Sequence, residues 1–403
     1  MLFKKHLYMD YASSTPLTRE VRRAMRRALS AYGNPSAPHE EGRRAKKLIE
    51  DARAAIARAL TVRPETVYFT GSGTESNGMA IFGFIEALVE RGATYSDLHI
   101  VVSEFEHPSV LEPIAYFIKK GVAVSYVRPT EDGIITPEAV HAEIKPETVF
   151  VSVVSVQSEL GQIQPLKDIS RIVEKIQGAR TQKNQHRVPE CPLPILHTDA
   201  SQGLMYVDVS PERLGVDMAS YDAQKIGGPK GVGVLYKHSR VPLVPLIRGG
   251  SQERKLRAGT ENVVGIVGMA VAFVGAEQGR KERSARVSAV REYMRALLQK
   301  IVPDVEVNGG MKHRIANNLH VSVPASDGDY LAVLMDREGV SVSPRSACIA
   351  SGTSSKAVSL LGKSEEAARG TLRFTFSPHV SKRDVRRAVR ALARARRIID
   401  TKK

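Results

Sequence analysis

Between residues 66 and 236, short β-branched runs alternate with helical periods, and this alternation limits the fold more than any other feature of the chain. Residues 66–70 read as a strand and 75–90 as an amphipathic helix. A strand at 98–103, a helix near 110–120 and a strand at 122–127 follow. Residues 148–154 are nearly all apolar, as a strand buried on both faces must be. A helix at 166–177 leads to strands at 194–198, 216–220 and 232–236. Such a rhythm predicts a mostly parallel sheet covered by helices, with its chemistry at the carboxyl ends of the strands. Residues 178–190 (GARTQKNQHRVPE) are polar and break the rhythm, so they read as a surface insertion. From about Gly259 the pattern shifts to long helices, with strands expected at 317–323 and 339–343, which points to a second, smaller α+β domain.

The chain's 403 residues are long for one core, which agrees with two domains sharing a cleft. No apolar window approaches the roughly 18 residues of a membrane span, and the first ten residues lack the apolar stretch of a signal peptide. Two cysteines, Cys191 and Cys348, cannot build a disulfide framework and fit a reducing compartment. The expectation is a soluble, cytoplasmic protein. There is no tryptophan and only 5% aromatic content, which argues against a broad base-stacking surface for nucleic acid. Lys and Arg number 59 against 43 Asp and Glu. The excess falls partly on Arg22, Arg23, Arg26, Arg27, Arg43, Arg44, Lys46 and Lys47, on the polar faces of expected helices. It recurs from Lys382 to Arg397, where Val385, Val389, Leu392 and Ile399 form the buried stripe. These runs read as solvated faces before they read as docking surfaces.

The unusual residues sit at the strand ends. Gly71-Ser72-Gly73-Thr74 opens directly into a helix, where glycines let the backbone approach an anion and the first turn supplies unpaired N–H groups. Taken alone, such a segment is more often a tight turn. Glu106-His107-Pro108 follows the strand at 98–103, and a histidine there is commonly a satisfied structural group. Asp199 and Gln202 follow the strand at 194–198, where a carboxylate commonly caps a helix. Lys225 stands in Ala-Gln-Lys-Ile-Gly-Gly-Pro-Lys-Gly between two strands. A lysine in a cleft can lose its proton and form a Schiff base, although most lysines are solvated surface groups.

Each signal is weak alone, but their order along the chain is specific. That order resembles the class V, fold-type I pyridoxal-phosphate enzymes, and within them the NifS/IscS-type cysteine desulfurases. The resemblance runs from Tyr8-Met9-Asp10-Tyr11 to about Ser377. It is carried by Gly33-Asn34-Pro35-Ser36, the segment 71–77, Glu106-His107, the segments 199–202 and 225–231, Arg257-Ala258-Gly259-Thr260, Ser346-Ala347-Cys348 and Leu372-Arg373-Phe374. It implies a large domain at 18–258 with a mostly parallel central sheet, and a small α+β domain at 1–17 and 259–403. It implies pyridoxal 5'-phosphate as cofactor, L-cysteine as substrate, a homodimer, and a sulfur-accepting protein such as an iron–sulfur scaffold or a tRNA-thiolation enzyme. Neither a metal, nor a membrane, nor direct nucleic-acid binding is expected.

Residue by residue, the resemblance makes Lys225 the Schiff-base lysine and carrier of the substrate's α-proton. Asp199 pairs with the pyridine nitrogen and preserves the ring as an electron sink. His107 stacks on the ring and takes part in proton transfer, and Gln202 hydrogen-bonds the phenolic oxygen. Gly73 and Thr74 hold the phosphate, joined by Thr260 from a second subunit. Arg373 offers its fork to the substrate carboxylate, assisted by Asn34. Cys348 attacks the sulfur of cofactor-bound cysteine, keeps it as a persulfide and releases alanine. Cys348 lies in a run of small polar residues (SPRSACIASGTSS) with little apolar anchorage, and Arg345 nearby favours its thiolate. Cys191 reads instead as a small buried hydrophobe.

Three positions depart from the family. Ser158 stands where an asparagine contacts the phenolic oxygen, and Asp222 and Gln224 replace the serine and histidine that precede the lysine by three and one. A carboxylate beside a phosphate is repelled unless it protonates, turns away or pairs with a cation. One reading has Asp222 rotated towards a basic group while Gly73, Thr74, Gln224 and Thr260 hold the phosphate. Others are reduced cofactor affinity with activity retained, or a homologue that binds but no longer catalyses. An aminotransferase or a selenocysteine lyase of the same class is the alternative activity.

Overall fold

A computed structural model describes residues 6–182, 191–345 and 354–401. Cys348 and most of the 178–190 segment lie outside the described residues.

The central sheet has seven strands in the order Val67–Thr70, Gly233–Lys237, Met218–Asp222, Ile195–Asp199, Thr148–Ser152, His99–Ser103, Ala123–Val127. Gly233–Lys237 runs antiparallel to both its neighbours, and the other six strands are parallel to one another. The expected strands are therefore present, with their ends displaced by at most two residues. Alternation explains why the sheet is buried on both faces. Val101 and Val151 enter one core with the helices Glu40–Leu60 and Val263–Glu277, while Ile100, Val102 and Phe150 enter another beneath Gly73–Glu90 and Pro108–Lys119. The helix Val263–Glu277, which follows the expected boundary at 258/259, shares its core with the large sheet.

Helix Glu40–Leu60 shows how sequence places the basic residues. Ala45, Ile49, Ala52, Ile56 and Leu60 recur every three or four positions and are all buried, which turns Lys46 and Lys47 to solvent. Arg53 is the exception, buried by a two-pronged ion pair with Glu253. Helix Lys382–Asp400 repeats the pattern. It opens on a Ser381–Asp384 capping box and buries Val385, Val389 and Leu392 completely. Each of those three side chains contributes on the order of 1.5–3 kcal/mol relative to exposure.

The remaining core gathers helices Arg280–Ile301, Gly328–Arg337 and Lys382–Asp400 around an antiparallel sheet of Thr371–Thr375, Asn318–Ser322 and Glu306–Val307. The N-terminal segment is threaded into this part. Leu7–Tyr8 pairs in parallel with Val340–Ser341, and Thr375 N–H donates to the Met9 carbonyl. The polar run expected as an insertion begins inside a helix, because Leu166–Gln182 continues past residue 178. The Arg180 guanidinium donates to the carbonyls of Lys145 and Thr148, which ties those extra residues to the sheet. Among the described residues, no single helix is long and apolar enough to cross a membrane.

Candidate active site

Five parallel strands deliver their ends to one cavity of about 280 Å³. Its wall includes Ala12, Ser13, Gly73, Thr74, His107, Ser158, Asp199, Gln202, Asp222, Gln224, Lys225 and Arg373. Ten of the thirteen residues expected for the site are thus brought together. Asn34 is not among them: it is exposed, and its side chain folds back to accept the Ser36 N–H at 2.9 Å, an Asx turn. Thr260 is exposed on a separate cavity with Gly71, Arg257 and Asn262. Cys348 lies outside the described residues.

Lys225 follows the strand Met218–Asp222 in a short 3₁₀ turn. Its Nζ donates to the carbonyls of Ala12, at 2.7 Å, and Ser13, at 2.8 Å. The Ala12 carbonyl also accepts from Gln202 Nε2 at 2.9 Å. The N-terminal segment therefore closes one side of the cavity with main-chain acceptors, which carry no signal in the sequence.

Asp199 ends its strand with both carboxylate oxygens engaged. Oδ1 accepts the Ser201 N–H at 3.0 Å, and Oδ2 accepts Asn77 Nδ2 at 2.8 Å. The same Asn77 amide donates to Ser109 Oγ, which lies 2.7 Å from His107 Nδ1. Nδ1 further accepts the Ser109 N–H, because His107 is the N-cap of helix Pro108–Lys119. Asn77 thus links the carboxylate to the imidazole; it lay within the matched segment 71–77 but drew no separate attention. Burial lowers the His107 pKa most, Asp199 raises it, Lys225 lowers it and Asp222 raises it, with a net depression. The ring is neutral at neutral pH, and with Nδ1 accepting, its proton resides on Nε2. Beneath them Glu106 is fully buried. Burial first, and the Asp199 charge next, push its carboxyl well above the usual carboxylate range, which favours the protonated form.

At the other end, helix Gly73–Glu90 points its first turn into the cavity, capped by Ser72 accepting the Glu75 N–H. Gly73 sits in a tight place: a Cβ there would meet Ser201 Oγ at 3.1 Å and Asp222 Cβ at 3.2 Å. Asp222 corrects the expectation that it turns to a basic group. Its Oδ2 accepts the Gly73 N–H at 3.2 Å and Gln224 Nε2 at 3.2 Å, and its Oδ1 accepts the Gln224 N–H at 3.1 Å. An anion already lies on the helix N-terminus, and it belongs to the chain.

Arg373 is 1% exposed and held on three sides. It donates to Asp10 Oδ1 at 2.9 Å, to Ser13 Oγ at 2.7 Å and to the Ser158 carbonyl at 2.9 Å. Asp10, at the end of the N-terminal strand, was not singled out as a site residue. Ser158 contributes its carbonyl here. Arg345 is buried and donates to Asp329 at 2.7 Å; its expected effect on Cys348 concerns a residue outside the described ones. Cys191 is a fully buried core residue.

Residues 7–388 match the family model described as aminotransferase class-V. The chain belongs to the class-V aminotransferase family. Within it, the chain is 36% identical over 393 residues to "Cysteine desulfurase IscS" of Dictyoglomus turgidum, covering 97% of this chain and 94% of that one. It is 33% identical to the protein of the same name from Methanosarcina thermophila, over 96% of this chain and 90% of that one. Among solved structures it resembles a NifS-like protein at a TM-score of 0.86 and 30% identity, covering 98% of this chain and all of the other. It also resembles SspA in complex with cysteine, with a TM-score of 0.74 and 30% identity over 93% of this chain and all of that one. The α/β architecture and mostly parallel sheet of this class-V aminotransferase relative are those of the NifS-like, fold-type I enzymes.

Proposed function

We propose that the chain is a pyridoxal-phosphate-dependent cysteine desulfurase that converts L-cysteine to L-alanine and passes the sulfur to Cys348. The observation that carries this reading is the convergence on one cavity of Lys225, Asp199, His107 and Gln202, from the ends of parallel strands, with Arg373 of the small antiparallel sheet. The donor set fits the cofactor's ring end: a lysine, a carboxylate and a neutral imidazole within one wall, with an amide beside them. When bound, the cofactor supplies an electron sink conjugated to the substrate's α-carbon.

The chain's own groups then divide the work. Lys225 Nζ would hold the cofactor and carry the substrate's α-proton. The Ala12 and Ser13 carbonyls keep the ammonium in place. Asp199, fixed by Asn77 and the Ser201 N–H, would pair with the pyridine nitrogen. Arg373, held by Asp10 and Ser13, receives the substrate carboxylate. The Cys348 thiolate would form an S–S bond as the substrate's C–S bond breaks; the C–S bonding pair stays with the carbon, which takes up one proton, the equivalent of that released by the Cys348 thiol, and becomes the methyl group of alanine. Thr260, exposed and off this chain's own cavity, suits a contribution to the site of a second subunit in a homodimer. The persulfide sulfur would pass to an acceptor protein such as an iron–sulfur scaffold or a tRNA-thiolation enzyme.

The test is purified protein with pyridoxal 5'-phosphate, L-cysteine and a reductant, scored for sulfide and alanine. The expected result is equal amounts of both, lost in Lys225→Ala, with sulfide lost in Cys348→Ser. Sulfide release unchanged in Cys348→Ser would overturn the role given to that cysteine. Conversion of amino to keto acids at a rate indifferent to Cys348 would indicate an aminotransferase instead.

A further inference from the structure

We propose that Asp222 is a specificity-determining residue at the cofactor's anionic end, weakening the hold on a phosphate while leaving the hold on the pyridine ring untouched. This deepens the cofactor reading above and rests on it. The carboxylate is buried, 8% exposed, and all three of its hydrogen bonds come from uncharged N–H donors. Two of those donors, the Gly73 N–H at the start of an 18-residue helix and the Gln224 side-chain amide, are the ones a bound phosphate would use.

The chain has therefore filled its anion cradle with its own charge. A phosphate entering the cavity either displaces the carboxylate from Gly73 or lies beside it, and each course sets like charges together in a buried place. The charged neighbours do not relieve this. Lys225 is turned to the Ala12 and Ser13 carbonyls, and Asp199 adds further negative charge to the same wall. His107 is neutral, and Glu75 in the helix's first turn is paired with Arg257 at 2.8 Å. Unphosphorylated pyridoxal carries no charge at that end and meets no such opposition.

The experiment compares dissociation constants of pyridoxal 5'-phosphate and pyridoxal on the full-length protein, Asp222→Asn and Asp222→Ser, read from the yellow absorbance of lysine-bound cofactor and from equilibrium dialysis. Circular dichroism establishes that both variants are folded. The expected result is that each variant binds the phosphorylated form about tenfold more tightly or better, with pyridoxal changed by less than about twofold. Unchanged or weaker binding of the phosphorylated form in both variants overturns the proposal. Equal tightening of both ligands also overturns it, since a phosphate-specific charge cannot act on pyridoxal. If the parent protein binds neither form, the cofactor reading itself fails, an outcome distinct from the other two.

Discussion

Replacing Asp10 by Asn removes the charge that faces a completely buried guanidinium, and the cost follows from the geometry. Arg373 is 1% exposed, and its Nη2 donates to Asp10 Oδ1 at 2.9 Å. Asp10 is itself held by Ser13 Oγ at 2.9 Å and Ser343 Oγ at 2.8 Å. Removing one partner of a buried pair strands the other, which typically costs 3–5 kcal/mol. Asn retains a carbonyl oxygen for Arg373, so the lower end applies and the expected loss is about 3 kcal/mol. The assay is urea unfolding with linear extrapolation, repeated for Arg373→Met and for the double variant. Once the guanidinium is gone, the carboxylate has nothing buried to neutralise. The double variant should therefore lose at least roughly 1.5 kcal/mol less than the sum of the singles. Losses that add to within about 0.5 kcal/mol would refute the reasoning, since they would mean that the two groups do not stabilise each other.

Other consequences are as specific. Arg373→Lys replaces a planar fork with a point charge and should raise the KM for L-cysteine by about tenfold or more in steady-state assays, with folding intact. Burial pushes the His197 pKa down to about 4 from the usual 6.5, so between those values the unfolded chain binds the extra proton and stability falls as the pH drops. That window is worth roughly 3 kcal/mol, and denaturant melts of His197→Gln should lose this part of the acid sensitivity, on top of a pH-independent loss from its contacts with Ser152, Ser220 and Phe150. Glu253, Arg254 and Lys255 adopt left-handed backbone angles, and Glu253 is anchored there by Arg53 at 2.8 Å and by the Phe69 N–H at 2.9 Å. Glu253→Gln should destabilise the protein by about 3 kcal/mol and speed hydrogen exchange at residues 251–260, the segment that carries Thr260.

How much of this was legible depended on whether a feature is written in side chains. The strands at 99–103, 148–152 and 195–199 are runs of β-branched and apolar residues buried on both faces, so their positions and the chemistry at their ends could be read directly. Helix Gly73–Glu90 was legible as a helix, but not as an amphipathic one: it is buried on nearly all sides from Ser76 to Leu88. The Ala12 and Ser13 carbonyls that hold Lys225 could not be read, because any residue has a carbonyl and only the tertiary threading of the N-terminus brings these two there. Asp222 was visible as an anomaly but its resolution was not. The donors that satisfy it are one backbone N–H 149 positions away in sequence and the main chain and side chain of Gln224. The Arg345–Asp329 pair could not be read either, since the two residues lie on different elements. Residues 178–182 continue a helix in which Arg180 meets the main-chain carbonyls of Lys145 and Thr148, at the start of an interior strand, a gain that composition does not record.

The most direct test of the account is to locate the transferred sulfur. The protein, loaded with pyridoxal 5'-phosphate and given L-cysteine without reductant, is alkylated, digested and mapped by mass spectrometry. The account predicts the mass of one extra sulfur atom on the peptide containing Cys348, formed together with one alanine, and none on the buried Cys191. Alanine formed with no sulfur on Cys348, or a persulfide found only on Cys191, would contradict it.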